Sequence, residues 1–135
     1  MRAADTSVVV AAFASWHENH EAARNALDRG VQLIDHCALE TYSVLTRLPA
    51  PHRCPGAVVR DFLRLRFAEP FLRLDAQAYK LFVLGLPERA VLGGGSYDAL
   101  VAVTAAAHSA TLVTCDRRAA SVYEAYGVRP TFLSL

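Results

Sequence analysis

The sequence predicts an α/β domain in which a central parallel sheet of about four or five strands is flanked by helices on both faces. Short apolar runs alternate with segments of helical spacing along the chain, and that alternation favours right-handed crossovers between parallel strands. With 135 residues, of which 53% are hydrophobic, the chain can bury the core of one domain. No repeat, linker or low-complexity segment divides it, so we expect a single domain over residues 1–135.

Five apolar runs predict the strands. They lie at 2–6, 31–34, 70–74, 110–115 and 130–133. Apolar residues at helical spacing predict the helices between them. These lie at 7–14, 17–28, 38–48, 56–67, 76–86, 97–108 and 117–126. Pro55 suits the first turn of a helix, Asp75 suits a helix cap, and Gly127 suits the end of the last helix, whereas residues 93–96 are predicted to form a loop.

Composition limits the classes of function. Lys plus Arg number 14 and Asp plus Glu number 13, so the overall charge gives no basic footprint for nucleic acid, although local patches are compatible with it. Three cysteines without a C-x-x-C pair argue against a disulfide framework and indicate a reducing compartment. No apolar run is long enough to span a bilayer. We therefore expect a cytoplasmic protein that does not associate with membranes.

Four of the thirteen acidic residues stand apart from the solvated, polar pattern of the others. They are Asp5, Glu40, Asp98 and Asp116. Asp5 and Asp116 each come at the end of a predicted strand, and ligands of parallel sheets bind beyond the carboxyl ends of the strands. Glu40 and Asp98 lie on apolar helices that are expected to pack beside those strands. The four carboxylates are therefore predicted to meet in one cleft.

A simpler explanation exists for each aspartate alone. Asp5, Asp98 and Asp116 stand at or near helix starts, where a carboxylate caps free N–H groups and meets the positive end of the helix dipole. Four carboxylates in one half-buried cleft, however, repel each other and lose hydration. A hard divalent cation such as Mg²⁺ or Mn²⁺ resolves that conflict. Without a Ser–His or Cys–His nucleophile pattern, the cluster favours metal-dependent hydrolysis of a phosphodiester.

The same residues carry a resemblance to a known family. "DTS" at 5–7, Glu40 in "ALETYSVLTRLP", Asp98 in "GGGSYDALVAVTA" and Asp116 in "TLVTCDRRA" resemble the four-acid pattern of the PIN domain. They are most similar to the VapC toxins of bacterial VapBC toxin–antitoxin pairs. The resemblance follows nearly the whole chain in order, although residues 49–90 contain no diagnostic motif. It implies a metal-dependent endoribonuclease that uses Mg²⁺ or Mn²⁺, forms a homodimer and is inhibited by a cognate VapB-type antitoxin.

The resemblance also implies roles for individual residues. All four acids would be catalytic, with metal binding assigned to Asp5 and Asp98 first and then to Asp116, while Glu40 completes the pocket. Three hydroxyl side chains would support the cluster. They are Thr6, Ser7 and Thr114.

Two arginines follow Asp116 directly. Arg117 and Arg118 are candidates for binding substrate phosphates at the edge of the cleft. An ordinary solvated first turn of a helix also explains them, although cations at that end oppose the helix dipole.

Other functions fit the sequence less well. A receiver-like phosphotransfer domain needs a late-strand lysine, but Lys80 lies within a helix, and a dehalogenase-like phosphatase needs D-x-D where the chain has Asp5 followed by Thr6 and Ser7. The glycines at 93–95 lack the Gly-Lys-Ser/Thr of a P-loop. A catalytically silent binding module that keeps the same fold remains an alternative, because the presence of the acids does not prove catalysis.

Overall fold

The computed structural model describes residues 1–133. Within that range, four strands form one fully parallel sheet in the order β2-β1-β3-β4. The strands are β1 Arg2–Ala4, β2 Gln32–Leu33, β3 Thr111–Thr114 and β4 Thr131–Phe132. The predicted α/β class with a parallel sheet is confirmed.

Seven α-helices flank the sheet in the described part of the chain. They are α1 Thr6–Phe13, α2 His20–Asp28, α3 Asp35–Thr46, α4 Gly56–Arg66, α5 Ala76–Leu84, α6 Gly95–Ala107 and α7 Arg117–Ala125. A short 3-10 helix at Leu86–Arg89 follows α5. The predicted cap of α5 is present, since the Asp75 carboxylate accepts a hydrogen bond from the N–H of Ala78 at 2.8 Å.

Several local predictions differ from the structure; helix α2, for example, begins at His20 and not at residue 17. The strand predicted at 70–74 is reduced to one parallel bridge between Leu72 and Ile34, because Pro70 has no N–H to donate and the residues on either side of Leu72 are not buried. Helix α3 begins three residues earlier than predicted, with Asp35 in its first turn, where a carboxylate is favourable. Helix α6 begins at Gly95, inside the predicted loop.

The centre of the sheet determines where the functional residues meet. Ala4 of β1 lies opposite Val113 of β3, and both are fully buried. Asp5 and Thr114, the next residues along each strand, consequently leave the same edge of the sheet side by side. The backbone N–H of Asp5 continues the ladder by donating to the carbonyl of Val113 at 3.2 Å.

No helix within residues 1–133 combines the length and the apolar character that crossing a membrane requires.

Candidate active site

The four acids line one cavity of about 200 Å³ at the carboxyl edge of the sheet. They are Asp5, Glu40, Asp98 and Asp116. The other lining residues are Thr6, Ser7, Cys37 and Tyr123. Asp5 and Asp116 come from the ends of β1 and β3, while Glu40 comes from α3 and Asp98 from α6. The structure thus brings together the four carboxylates that the sequence predicted to meet.

Asp5 is the most deeply buried of the four carboxylates, with 3% of its surface exposed. It caps α1, and its Oδ1 accepts hydrogen bonds from the hydroxyl of Ser7 and from the N–H of Val8. Its Oδ2 accepts a hydrogen bond of 2.8 Å from the hydroxyl of Tyr123. Burial raises the pKa of Asp5 because it penalises the ionised form, and the hydrogen bonds that it accepts partly offset that rise.

The ends of β1 and β3 are joined by a network of hydroxyl groups. Ser7 Oγ donates to Asp5, accepts a hydrogen bond from the N–H of Cys115 at 2.9 Å, and lies 3.3 Å from Thr114 Oγ1. Thr114 Oγ1 in turn accepts a hydrogen bond from the N–H of Asp116 at 2.9 Å. The two strand ends are therefore held at a fixed spacing.

Asp116 caps α7. Its Oδ1 accepts hydrogen bonds from the N–H groups of Arg118 at 2.9 Å and Ala119 at 3.4 Å. The helix-cap explanation consequently holds for Asp116, as it does for Asp5. Capping α7 is compatible with a functional role, because the second oxygen, Asp116 Oδ2, accepts none of the hydrogen bonds found among residues 1–133.

Asp98 lies in the first turn of α6. Burial raises its pKa, and the negative charges of Asp116, Glu40 and Asp5 add to that rise. The chain enters the helix through Gly93, whose φ of +55° lies in the left-handed region that favours glycine. Because of this turn, the N-terminal end of the buried helix α6 lies at the cavity.

Glu40 is paired with a residue of its own helix. His36 Nε2 lies 3.6 Å from Glu40 Oε2, one turn away on α3. The imidazole lowers the pKa of Glu40, and the carboxylate raises the pKa of His36. The His36 ring stacks on Tyr97 with centroids 5.2 Å apart and an interplanar angle of 7°, which holds it beside the cavity.

The donor set fits a hard divalent cation, which prefers oxygen ligands. Thr6 Oγ1 also lines the cavity and is buried with no hydrogen-bond partner among residues 1–133, so a metal-bound water would satisfy it. In the same residues, no three His, Cys, Asp or Glu side chains are close enough to chelate an ion as they stand. Such a trio is not required, because Mg²⁺ retains several waters and needs only one or two direct carboxylates.

Comparison with known proteins agrees with this geometry. The family model described as "PIN domain" matches residues 3–125. The chain belongs to the PIN-domain family. It is 54% identical to Ribonuclease VapC40 of Mycobacterium tuberculosis over 124 residues, which are 92% of each chain. It is 40% identical to Ribonuclease VapC27 of the same organism over 127 residues, which are 93% of this chain and 92% of that one. The predicted family, a VapC-type PIN domain, is therefore confirmed.

A solved structure shows the same fold. The crystal structure of FitAcB from Neisseria gonorrhoeae superposes with a TM-score of 0.67 over 99% of this chain and 97% of that chain, at 21% identity. At that identity the likeness concerns the fold alone.

Three residues reach the site of this PIN domain although the sequence did not predict them there, namely Tyr123, His36 and Cys37. Tyr123 is 2% exposed and comes from α7, and His36 comes from α3. Tyr123 had a weak signal, since it follows Ala119 and Ala120 at helical spacing on the buried face of α7. The pKa of its hydroxyl is raised far above the usual value, chiefly by burial, so the group stays protonated and donates.

Not all of the remaining candidates reach the site. Neither Arg117 nor Arg118 is among the residues that line the acidic cavity. The guanidinium of Arg117 lies 4.5 Å from the ring centroid of Phe132 on β4. Cys37 is buried and Cys115 is half-buried, and burial raises the pKa of both thiols, that of Cys115 to about 11. In residues 1–133, His36, Cys37 and Cys115 do not come together as a metal site.

Proposed function

We propose that this PIN domain is the toxin of a type II toxin–antitoxin system and an endoribonuclease that depends on Mg²⁺ or Mn²⁺. The observation that carries the proposal is the convergence of Asp5, Glu40, Asp98 and Asp116 on one cavity, with the pKa of Asp5 and Asp98 raised. The names of the relatives VapC40 and VapC27, both ribonucleases, support RNA as the substrate. A chain of this kind would act in the cytoplasm, where its RNA targets are.

The proposed reaction is hydrolysis of an RNA phosphodiester by water. Asp5, Asp98 and Asp116 would hold the cation, which when bound supplies a more acidic water and neutralises charge on the phosphate. Glu40, kept ionised by His36, would accept a proton at its carboxylate.

Hydroxyl and arginine side chains would support these acids. Ser7 and Thr114 position the strand ends, and Thr6 would bind a water in the cavity. Arg117 and Arg118 would contact phosphates that flank the scissile bond.

Two surfaces support the proposed partners. Helix α5 has no buried residue and exposes Leu81 at 63% and Leu84 at 62%, with Lys80 as its only charge, so two copies could pair along it without strong repulsion. A separate groove of about 570 Å³ lies against α4. Its lining includes Tyr42, Leu63, Phe67, Phe71, Arg60 and Arg64. Apolar walls with two arginines suit an antitoxin segment that is apolar and carries acidic residues.

The first experiment is cleavage of a mixed cellular RNA pool by the purified chain in Mn²⁺, in Mg²⁺ and in EDTA. Asp98→Asn controls for a contaminating nuclease. We expect discrete fragments that require metal and are missing with the variant, because Asp98 contributes a carboxylate to the proposed metal site. Fragments that survive EDTA, or equal cleavage by Asp98→Asn, would contradict the proposal. Absence of cleavage by a folded, metal-loaded protein would favour the silent binding module.

A further inference from the structure

Tyr123 makes a buried contact with the first acid of the site. Its hydroxyl donates to Asp5 Oδ2 at 2.8 Å, and the two residues, 118 positions apart, are 2% and 3% exposed. Tyr123 also lines the acidic cavity. The hydroxyl therefore lies at the boundary between the hydrophobic core and the proposed metal site.

The hydrogen bonds of Asp5 leave little room for a further ligand. A carboxylate has about four acceptor positions, two on each oxygen. Oδ1 accepts from Ser7 and Val8, whereas Oδ2 accepts from Tyr123. The remaining position is on Oδ2, so a cation bound by Asp5 would be held through the oxygen that Tyr123 also contacts.

The arrangement also restricts how Asp5 can rotate. Ser7 is itself fixed by the N–H of Cys115, and the ring of Tyr123 is packed in the core cluster with Ala119. Rotation of the carboxylate would break hydrogen bonds on both oxygens at once. The free acceptor position of Oδ2 is consequently held in one direction before any cation arrives.

We infer that Tyr123 is a positioning residue of the metal site, which holds Asp5 Oδ2 in the orientation that binds one divalent cation. This inference rests on the proposed function. Removing a partner that orients a metal ligand typically weakens metal affinity about 10- to 100-fold. Tyr123 acts through Asp5 and is not itself a ligand in this proposal.

The test measures Mn²⁺ binding to the purified full chain without RNA, by calorimetry or by the EPR signal of free Mn²⁺. Tyr123→Phe removes only the hydroxyl, and we expect affinity to fall about 10- to 100-fold. Tyr126→Phe is the matched control at the C-terminal cap of the same helix, because its ring faces Arg89 at 4.6 Å and its hydroxyl donates to no residue in the described range. We expect Tyr126→Phe to bind Mn²⁺ within about twofold of wild type.

A cleavage assay supplies a readout that a purely structural role would not change. For Tyr123→Phe we expect the Mn²⁺ concentration at half-maximal rate to rise by the same factor as the dissociation constant, with kcat at saturating Mn²⁺ close to wild type. Equal Mn²⁺ affinity for wild type and Tyr123→Phe would overturn the inference. If wild type itself binds no Mn²⁺, the proposed function fails, and that result is distinct from failure of the inference alone.

A second measurement uses the unaltered chain, in case Tyr123→Phe does not fold. In protein labelled with ¹³C at the tyrosine ζ carbon, Mg²⁺ should shift the signal of Tyr123 and leave that of Tyr79 unchanged, since Tyr79 lies on exposed α5. A Tyr123 signal that stays constant while Mg²⁺ binds would overturn the inference.

Discussion

The hydroxyl of Ser7 accepts a hydrogen bond of 2.9 Å from the backbone N–H of Cys115, 108 residues away, while it donates to Asp5. This one side chain therefore joins the ends of the two central strands at the point where the acids leave the sheet. Ser7, two residues after Asp5, therefore fixes the spacing of the strand ends that carry Asp5 and Asp116.

Ser7→Ala should lower the free energy of unfolding by about 1–3 kcal/mol, because the half-buried N–H of Cys115 loses its acceptor and Asp5 loses a donor. Urea unfolding followed by circular dichroism measures the loss. Ser121→Ala is the control, since the hydroxyl of Ser121 makes only a long, exposed hydrogen bond of 3.3 Å on α7. Equal decreases in the free energy of unfolding for both variants would show that the hydrogen bonds of Ser7 contribute no more to stability than an exposed hydrogen bond does.

Asp98→Asn should raise the melting temperature of the metal-free protein at neutral pH by a few degrees. Burial and the carboxylates of Asp116, Glu40 and Asp5 raise the pKa of Asp98 above its ordinary value of 3.8. Because the pKa of Asp98 is higher in the folded protein than in the unfolded chain, the ionised carboxylate is less favourable in the folded protein. At neutral pH, where Asp98 is ionised in both states, it therefore lowers the free energy of unfolding. Wild type should regain that stability as the pH falls through the folded pKa toward the unfolded one.

The advantage of Asp98→Asn should therefore be largest at neutral pH and shrink on acidification. Thermal melts in EDTA across that pH range measure it. Asp61→Asn on α4 is the control, because Asp61 is exposed and lies away from the cavity lining. An advantage that grows on acidification would contradict the repulsion among the four carboxylates.

Mn²⁺ should stabilise the fold, because a ligand that binds only the native state adds its binding free energy to the free energy of unfolding. At a free concentration of a hundred times the dissociation constant the gain is about 2.7 kcal/mol. Thermal melts with and without Mn²⁺ test this, and EDTA should reverse it. Asp5→Asn should show little shift, whereas a full shift in that variant would place the cation elsewhere.

Leu81→Asp together with Leu84→Asp should convert the proposed homodimer to a monomer, because two charges would be placed on the exposed apolar face of α5. Light scattering after size-exclusion chromatography measures the mass. Leu65→Asp is the matched control, since Leu65 on α4 is 83% exposed and lies outside that face. A monomeric wild type, or a dimer that survives both charges, would exclude α5 as the interface.

The sequence predicted the helices better than the weakest strand. Helix α7 is bounded by Asp116 and a glycine, and both signals are local, so its position was predictable within one residue. The run at 70–74 has a strand-like composition, yet only Leu72 forms a bridge, to Ile34 just beyond β2. Whether an apolar run pairs depends on what lies beside it, and local composition does not contain that information.

What the sequence determined by itself is the α/β class, the family and the four carboxylates, because strand ends, helix starts and unusual acids are local features. Only the tertiary structure decided that Tyr123 meets Asp5, that His36 pairs with Glu40 beside Tyr97, and that Thr6 Oγ1 is buried without a partner among residues 1–133. Most of these contacts join distant segments. They depend on β1 lying between β2 and β3, and that order follows from the packing of the whole chain.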